Sequence, residues 1–375
     1  MNISSPVTDP VTPFGAAPAI LAAAHLILPH LERGQRVDAA ILRGAMETAF
    51  GASDATGAWD WKLAYEACEV ATVLFLRKYG KALFRKAASP ASRLGPLAKI
   101  AGLLPTQTRR SEESQSFQQF STPLPLGLAA LAAAAITPDD VVLEPSAGSG
   151  LMAILAQTAG GSLILNELAE TRADLLSSLF PALSVTRFDA AQIDDYLDEC
   201  AVPSVVLMNP PFSRSDGRGK DRFAGARHLR SALLRLAPGG RCVAIMPPSF
   251  AADGTAATGY TMVCETANPR VEITILGNPY AKHGTSIAVR LIIFDKGWTG
   301  PTERLTAQTI EEAATLVGSV PPRLSVPEPE PPAPWSSTMA DLYRASERVA
   351  AMKPSATAAV TDKAIELRAA GKDVI

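Results

Sequence analysis

Cysteine and histidine are scarce, four of each in 375 residues, and both are scattered. Cys68, Cys200, Cys242 and Cys264 form no Cys-x-x-Cys pair. That spacing excludes a disulfide frame and a structural zinc site, and it fits a reducing cytoplasm. The dispersed histidines leave a metal site without support. An excess of one charge is also missing: 35 basic residues face 37 acidic ones, for a net charge of −2. No global field draws this chain to nucleic acid, so such a partner must be met by a local patch. Long hydrophobic runs are absent as well. Residues 126–136 are alanine-rich but too short to span a bilayer. The apolar stretch 16–28 has no basic residue ahead of it, unlike a secretory signal. The expectation is a cytoplasmic protein without membrane attachment.

Apolar residues are plentiful, at 47% of the chain, enough for one large domain with appendages or for two domains. Residues 1–15, proline-punctuated and polar, are expected to be disordered. Residues 16–115 form an N-terminal helical region, with apolar residues at three- and four-residue spacing as far as about residue 104. Within it, residues 59–86 carry the stripe Leu63, Ala67, Val70 and Leu74, and Gly80 marks a point where this helix bends or splits. Between Val70 and Ser111 there is no acidic residue. Arg77, Lys78, Lys81 and Arg85 lead a run of bases that reads either as a solvated helical face or as a phosphate-tracking patch.

From residue 116 the pattern changes. Val141–Glu144, the loop Pro145-Ser146-Ala147-Gly148-Ser149-Gly150 and a helical stretch from Leu151 read as strand, glycine loop and helix. Gly148 and Gly150 let backbone approach a ligand, and the helix start offers free N–H groups. No Gly-Lys-Ser/Thr follows, which excludes a P-loop. The strand ends then recur at a steady interval: Glu144, Glu167 after 23 residues, Asp189 after 22 and Asn209 after 20. Helical stretches at 151–159, 170–179 and 191–199 fill the gaps. A βα repeat of this kind gathers its polar strand ends in one crevice at the carboxyl edge of a sheet. An acid ending the second strand suits the two hydroxyls of a ribose, and an acid ending the third suits an exocyclic amine.

The fourth strand, residues 205–208, stops at Asn209-Pro210-Pro211-Phe212, because neither proline can donate to the ladder. The turn holds two acceptors, the Asn209 side-chain oxygen and the Pro210 carbonyl, beside an aromatic ring. A conjugated amino group is a poor nucleophile because its lone pair is delocalised, and two acceptors that draw its protons localise that pair. Phe212 can stack on a base swung out of a helix. Beyond the turn, residues 214–222 read as a polar lid loop and 226–236 as a helix on which His228 is structural or solvent-facing. Residues 241–247, 271–276 and 286–294 read as further strands, and 251–267 as an irregular excursion. Residues 302–318 offer one short helix, and 319–334 a proline-rich linker.

The order Phe-x-x-Phe-Ser-Thr-Pro (residues 117–123), Glu-Pro-Ser-Ala-Gly-Ser-Gly, Asn-Glu, Asp189 and Asn-Pro-Pro-Phe resembles the class I S-adenosyl-L-methionine-dependent methyltransferases of the N6-adenine DNA type. Residues 59–296 are similar, more closely, to the methyltransferase portion of bacterial strawberry notch-like methylase/helicase proteins. That likeness is carried by residues 75–80, 105–115 and 283–285. The resemblance implies an α/β, Rossmann-like sheet of seven mostly parallel strands with a reversed last hairpin, spanning residues 116–300. It implies S-adenosyl-L-methionine held by Phe120, Thr122, Glu144, Ser146, Gly148, Gly150, Glu167 and Asp189. Asn209, Pro210, Pro211 and Phe212 then form the amino-group site, and DNA is the expected partner.

Two departures qualify the resemblance. Only a helix and linker (301–338) stand where such enzymes carry a target-recognition domain, and no helicase motif is present, so a helicase partner encoded elsewhere is implied. The tail, 339–375, resembles the first residues of a class I aspartate aminotransferase without that family's cofactor lysine. Transfer to an RNA base or a protein glutamine, and a non-catalytic DNA-binding module, stay open beside adenine methylation.

Overall fold

The computed structural model of the chain describes residues 15–87, 89–107, 121–212, 221, 223–284 and 287–324. Phe120, residues 1–14 of the disordered start expected at 1–15, most of the 214–222 lid, the linker beyond residue 324 and the aminotransferase-like tail lie outside the described residues.

The N-terminal region is helical because its apolar residues repeat every three or four positions and its helix starts are capped. Helices α1 (Ala17–Glu32), α2 (Ala39–Phe50), α3 (Trp61–Lys86) and α4 (Pro90–Leu103) follow one another. Asp38 accepts from the backbone N–H groups of Ala40 and Ile41, Asp60 from that of Leu63, and Ser89 and Ser92 form a reciprocal cap. Helix α1 buries Ile20, Ala23, Ala24, Ile27 and Leu31. Of the bend or split expected at Gly80, the split is absent: helix α3 runs unbroken through it. A Cβ at Gly80 would lie 3.0 Å from Thr158 Oγ1, so this glycine permits a close approach instead.

Eight strands form one sheet in the order β3-β2-β1-β4-β5-β7-β6-β8. They are β1 (Val141–Glu144), β2 (Ser162–Asn166), β3 (Val185–Thr186), β4 (Val205–Met208), β5 (Arg241–Met246), β6 (Pro269–Ile275), β7 (Val289–Asp295) and β8 (Glu303–Ala307). Strand β7 runs antiparallel to both β5 and β6, and every other pairing is parallel. The first seven strands therefore make the Rossmann-like arrangement expected, with its reversed final hairpin. The eighth corrects the sequence reading: residues 303–307 pair in parallel with β6. Their polar, largely exposed residues hide the strand pattern, as befits an edge strand.

Helices α5 (Leu124–Ala134), α6 (Leu151–Ala159), α7 (Glu170–Leu179), α8 (Ile193–Tyr196), α9 (Ala224–Arg235), α10 (Ala257–Cys264) and α11 (Ile310–Leu316) complete the layers. The segment expected to be helical at 191–199 is only a 3-10 turn and the four-residue α8, and the excursion at 251–267 contains α10. Alternation along the strands divides the core between the two faces. Val142, Val205, Leu207, Val243 and Ile245 join the N-terminal helices, α5 and α6, whereas Leu143, Val206, Met208, Cys242 and Ala244 join α9 and α10. The N-terminal helices thus share one core with the sheet.

Away from the strands' carboxyl ends, buried ion pairs close the structure. Arg241, 1% exposed, holds Asp295 through two hydrogen bonds of 2.6 and 2.8 Å and donates to the carbonyls of Ala133 and Pro321. Arg323 grips Asp140 through two bonds of 2.7 Å. Among the described residues no helix is long and apolar enough to cross a membrane.

Candidate cofactor and amino-group site

Asn209 follows the fully buried β4, and the strand's alternation turns its side chain to the same face as Val205 and Leu207. There its amide nitrogen donates to Thr122 Oγ1 and to the Tyr280 hydroxyl, each at 3.0 Å. In that orientation the amide nitrogen faces Thr122 and Tyr280. Tyr280 is fully buried, and burial pushes its phenol well above the usual range. It therefore stays a neutral hydroxyl, able to accept from the amide. Pro210 is buried, while Pro211 and Phe212 are half-buried. A Cβ on Gly225, in the first turn of α9, would sit 3.0 Å from the Pro211 carbonyl oxygen, so α9 braces the turn from behind.

The glycine loop lies beside this turn. Gly148 and Gly150 take positive φ values of 55° and 85°, a region costly for residues with a Cβ. A Cβ on Gly150 would meet Leu176 Cδ2 and Phe180 Cε2 at 2.9 Å, whereas one on Gly148 would meet nothing within 4 Å. Gly150 is thus demanded by packing, and Gly148 faces open space. Glu167 accepts from the backbone N–H of Gly148 at 2.8 Å and of Ala169 at 2.9 Å, which ties the second strand end to the loop. Ser146 is half-buried in the same loop.

Asn166, buried completely, is a structural residue that sequence reasoning passed over in favour of its neighbour Glu167. Its amide donates to the carbonyls of Pro145 and Phe188, and its oxygen accepts from Thr186 Oγ1 and the Phe188 N–H, all at 2.8–2.9 Å. The ends of β1, β2 and β3 are stapled together through this one side chain.

Asp189 accepts from the Ala191 N–H at 2.9 Å. His228 Nε2 stands 3.8 Å from Asp189 Oδ1. The imidazole is 7% exposed, and neither ring nitrogen finds a hydrogen-bond partner among the described residues. Burial lowers its pKa to about 4, with Asp189 pulling the other way, so the ring is neutral at ordinary pH. Of the two readings of His228, structural or solvent-facing, burial favours the structural one: it backs the third strand end.

Glu144 is 3% exposed, and its Oε2 has no hydrogen-bond partner among the described residues. Burial, then the neighbouring Glu167, push its carboxyl well above the usual range, against a backbone hydrogen bond from Ala153. Such an orphaned buried oxygen at the end of β1 fits a pocket that takes a polar ligand. Gly148 open to space, the two anchored acids and this oxygen together suit a nucleoside bearing a charged amino-acid chain.

Two acids that the sequence reading missed also reach this edge. Glu66 and Glu69 lie three residues apart in the otherwise apolar run 64–73 of α3, and both are buried. Glu66 accepts from Arg172 Nε at 2.8 Å. Glu69 accepts from Ser121 Oγ at 2.7 Å and from Gln107 Nε2 at 3.3 Å. Charge inside an apolar helical stripe was the available signal.

The basic run lies elsewhere. Arg77, Lys78, Lys81 and Arg85 are all exposed, but Lys81 is twelve residues beyond Glu69, about 18 Å along a helix rising 1.5 Å per residue. Lys81 and Arg85, with Arg93, line a pocket of ≈ 500 Å³ against Ile136, Thr158 and Ala159. These last residues belong to the edge opposite the strand ends that carry Glu144 and Asn209. Lys78 pairs with Glu32 at 2.7 Å, and the Arg77 guanidinium lies over the Phe180 ring, 5.1 Å from its centre. The absence of local acids is thus partly made good by an acid from α1.

No protein-family model matches the chain, and no curated protein is similar to it. Among solved structures it is similar to a modification subunit assigned to a type I restriction enzyme of Vibrio vulnificus YJ016, at 16% identity over 57% of this chain and 52% of that one, with a TM-score of 0.41. The type I restriction-modification methyltransferase subunit of Streptococcus thermophilus matches at 17% identity over 61% and 57%, TM-score 0.43. A protein described as a class I S-adenosylmethionine-dependent methyltransferase of Listeria monocytogenes matches at 12% identity over 80% and 96%, TM-score 0.42. The chain spans little more than half the length of the two type I subunits. These neighbours are methyltransferases; likenesses this distant carry no argument about the reaction of this chain.

Proposed function

We propose that the chain transfers the methyl group of S-adenosyl-L-methionine to a conjugated amino group, namely N6 of adenine in DNA. The observation that carries the reading is Asn209, held by Thr122 and Tyr280 at the head of a proline-stopped strand, in one crevice with the acids that end the preceding strands. Glu167 would take the ribose hydroxyls, Asp189 the adenine amine, and Gly148, Gly150 and Ser146 the backbone approach. Thr122 and Glu144, with Phe120, would complete the cofactor's wall. The bound cofactor supplies an electrophilic methyl group.

The chain's own residues prepare the nucleophile. The Asn209 amide oxygen and the Pro210 carbonyl accept the two protons of the acceptor amine. This would localise the nitrogen lone pair for the new N–C bond, formed as the methyl–sulfur bond breaks and leaves a neutral thioether, and one of those protons would pass to water. Pro211 keeps the turn rigid, and Phe212 offers a face for a base removed from its stack. Arg77, Lys78, Lys81 and Arg85 would contact nucleic-acid phosphates, which requires DNA to extend past the active crevice to the far end of α3. A strawberry notch-like origin, with a helicase acting as partner, rests on the sequence motifs.

The test is transfer of labelled methyl from S-adenosyl-L-methionine to DNA, RNA and protein pools, followed by identification of the modified atom. N6-methyladenine in DNA, abolished by Asn209→Ala with cofactor affinity kept within about threefold, is the expected result. Label in RNA or on glutamine would move the reading to those acceptors. No label in any pool would end it.

A further inference from the structure

We infer that Glu66 and Glu69 of the N-terminal helix α3 belong to the cofactor pocket, and that the pocket selects positive charge, favouring the sulfonium cofactor over its uncharged demethylated product. The inference rests on the methyl-transfer reading above and adds to it a part of the protein outside the strand-end crevice.

Four carboxyl groups gather here, three of them around one guanidinium and the fourth, Glu144, beside Glu167. Glu66 and Glu69 come from α3, Glu144 from β1 and Glu167 from β2, and all four are buried. Arg172 of α7 is the base, bonded to Glu66 and under the electrostatic influence of Glu167 and Glu69 as well. Burial works against the Arg172 charge, and the acids around it more than offset that effect. Among the described residues the cluster holds fewer positive charges than carboxyls, and buried charge without compensation is costly.

The cluster is continuous with the reacting end of the site. Glu69 accepts from Ser121, the next residue is Thr122, and Thr122 accepts from Asn209. On its other side Glu69 has Ser149 of the glycine loop beside it. Glu69 therefore lies between the amino-group turn and the loop expected to cradle the cofactor. The Glu144 oxygen that lacks a partner is the independent sign that something polar from outside the chain completes the set. A ligand with an ammonium group and a sulfonium centre adds positive charge to this set. Its demethylated product, a neutral thioether, supplies less.

A proton accompanies the exchange. The groups facing the cluster are Glu66, Glu69 and the Cys68 thiol from α3, Glu144, Glu167 and Arg172, with Ser121, Ser149 and Gln107 as uncharged neighbours. Burial raises the carboxyls of Glu69 and Glu144 and so favours their protonated forms. An incoming cation favours the ionised forms, so its binding releases protons and strengthens as pH rises through that range.

Calorimetry on the full chain tests this with three ligands: S-adenosyl-L-methionine, S-adenosyl-L-homocysteine and sinefungin, which carries an amine in place of the sulfonium. Each is titrated at one pH in two buffers of different ionisation enthalpy. The expected result is that both cationic ligands bind about tenfold or more tighter than the thioether, with net proton release. Glu69→Gln should reduce that preference to about threefold or less. Equal affinities for the three ligands in the wild type would overturn the inference while leaving methyl transfer intact. A preference unchanged in Glu69→Gln, with Glu66→Gln equally silent, would overturn the role of α3. Failure of every ligand to bind would overturn the methyl-transfer reading itself.

Discussion

Replacing Tyr280 by phenylalanine removes one oxygen, and that oxygen is one of the two acceptors holding the Asn209 amide nitrogen. The ring is fully buried, and phenylalanine fills nearly the same volume, so the packing cost is small. What changes is the amide. One of its N–H groups loses its partner in a half-buried setting, a loss of about 1–3 kcal/mol for a buried donor. The amide can recover part of this by rotating, which carries its oxygen away from the acceptor amine. If that misplacement is felt only when the lone pair must be localised, turnover falls by roughly 5- to 100-fold, since 1.36 kcal/mol is a factor of ten in rate. Cofactor affinity should stay within about threefold, because the bond that is lost is the one to Asn209. Thr122→Val, which removes the other acceptor, should give a loss of similar size. The pair should be non-additive, since both act through one side chain. The assay is single-turnover methyl transfer alongside direct measurement of cofactor binding. Full turnover in Tyr280→Phe would refute the claim that this hydroxyl positions Asn209.

Three further outcomes follow from other parts of the molecule. Gly150→Ala forces a Cβ onto a residue at φ 85° and within 2.9 Å of Leu176 and Phe180, and should cost about 2–4 kcal/mol in chemical denaturation; a loss under half a kcal/mol would mean the loop relaxes freely. Burial alone would raise the Asp140 carboxyl, but hydrogen bonds from Arg323, Thr137 and Ser204 outweigh it and hold its pKa at about 2. Its stabilising effect, about 2 kcal/mol, is therefore present above pH ~4 and lost as pH falls through about 2. Arg323→Ala should accordingly destabilise most at neutral pH and converge with the wild type only below pH ~2, whereas a penalty independent of pH would deny the ion pair its role. Finally, Arg77, Lys81 and Arg85 changed to serine should weaken DNA binding and flatten its salt dependence by up to about 0.9 per lost phosphate contact. Lys78→Ser should matter less, because Glu32 already holds that ammonium; an unchanged slope in the triple variant would make the run a solvated face.

What the chain determines by itself is what local chemistry can write. Four apolar residues followed by two prolines must end a strand at Asn209, and they do so in the fold. The glycine loop, the helices Leu151–Ala159 and Glu170–Leu179, and the strand ends at Glu144 and Glu167 are likewise spelled out by spacing and turn residues. Weak local signals failed in proportion to their weakness. The polar edge strand β8 has no apolar alternation to announce it, and α10 lies among small residues that favour no one structure.

Tertiary structure alone decided which distant groups meet. Asn209 finds Thr122 and Tyr280 at separations of 87 and 71 residues, and no window of sequence contains such a pair. Glu66 and Glu69 read as ordinary members of a helix until α3 packs on the sheet and carries them to Arg172 and Ser121. Lys78 reads as part of an unbalanced basic run until α1 folds back and offers Glu32. His228 reads as either structural or solvent-facing until α9 buries it behind Asp189. In each case the backbone pattern follows from neighbours along the chain. The electrostatic identity of the side chain depends instead on which elements the hydrophobic core draws together, because charge and hydrogen bonding act through space over a few ångströms.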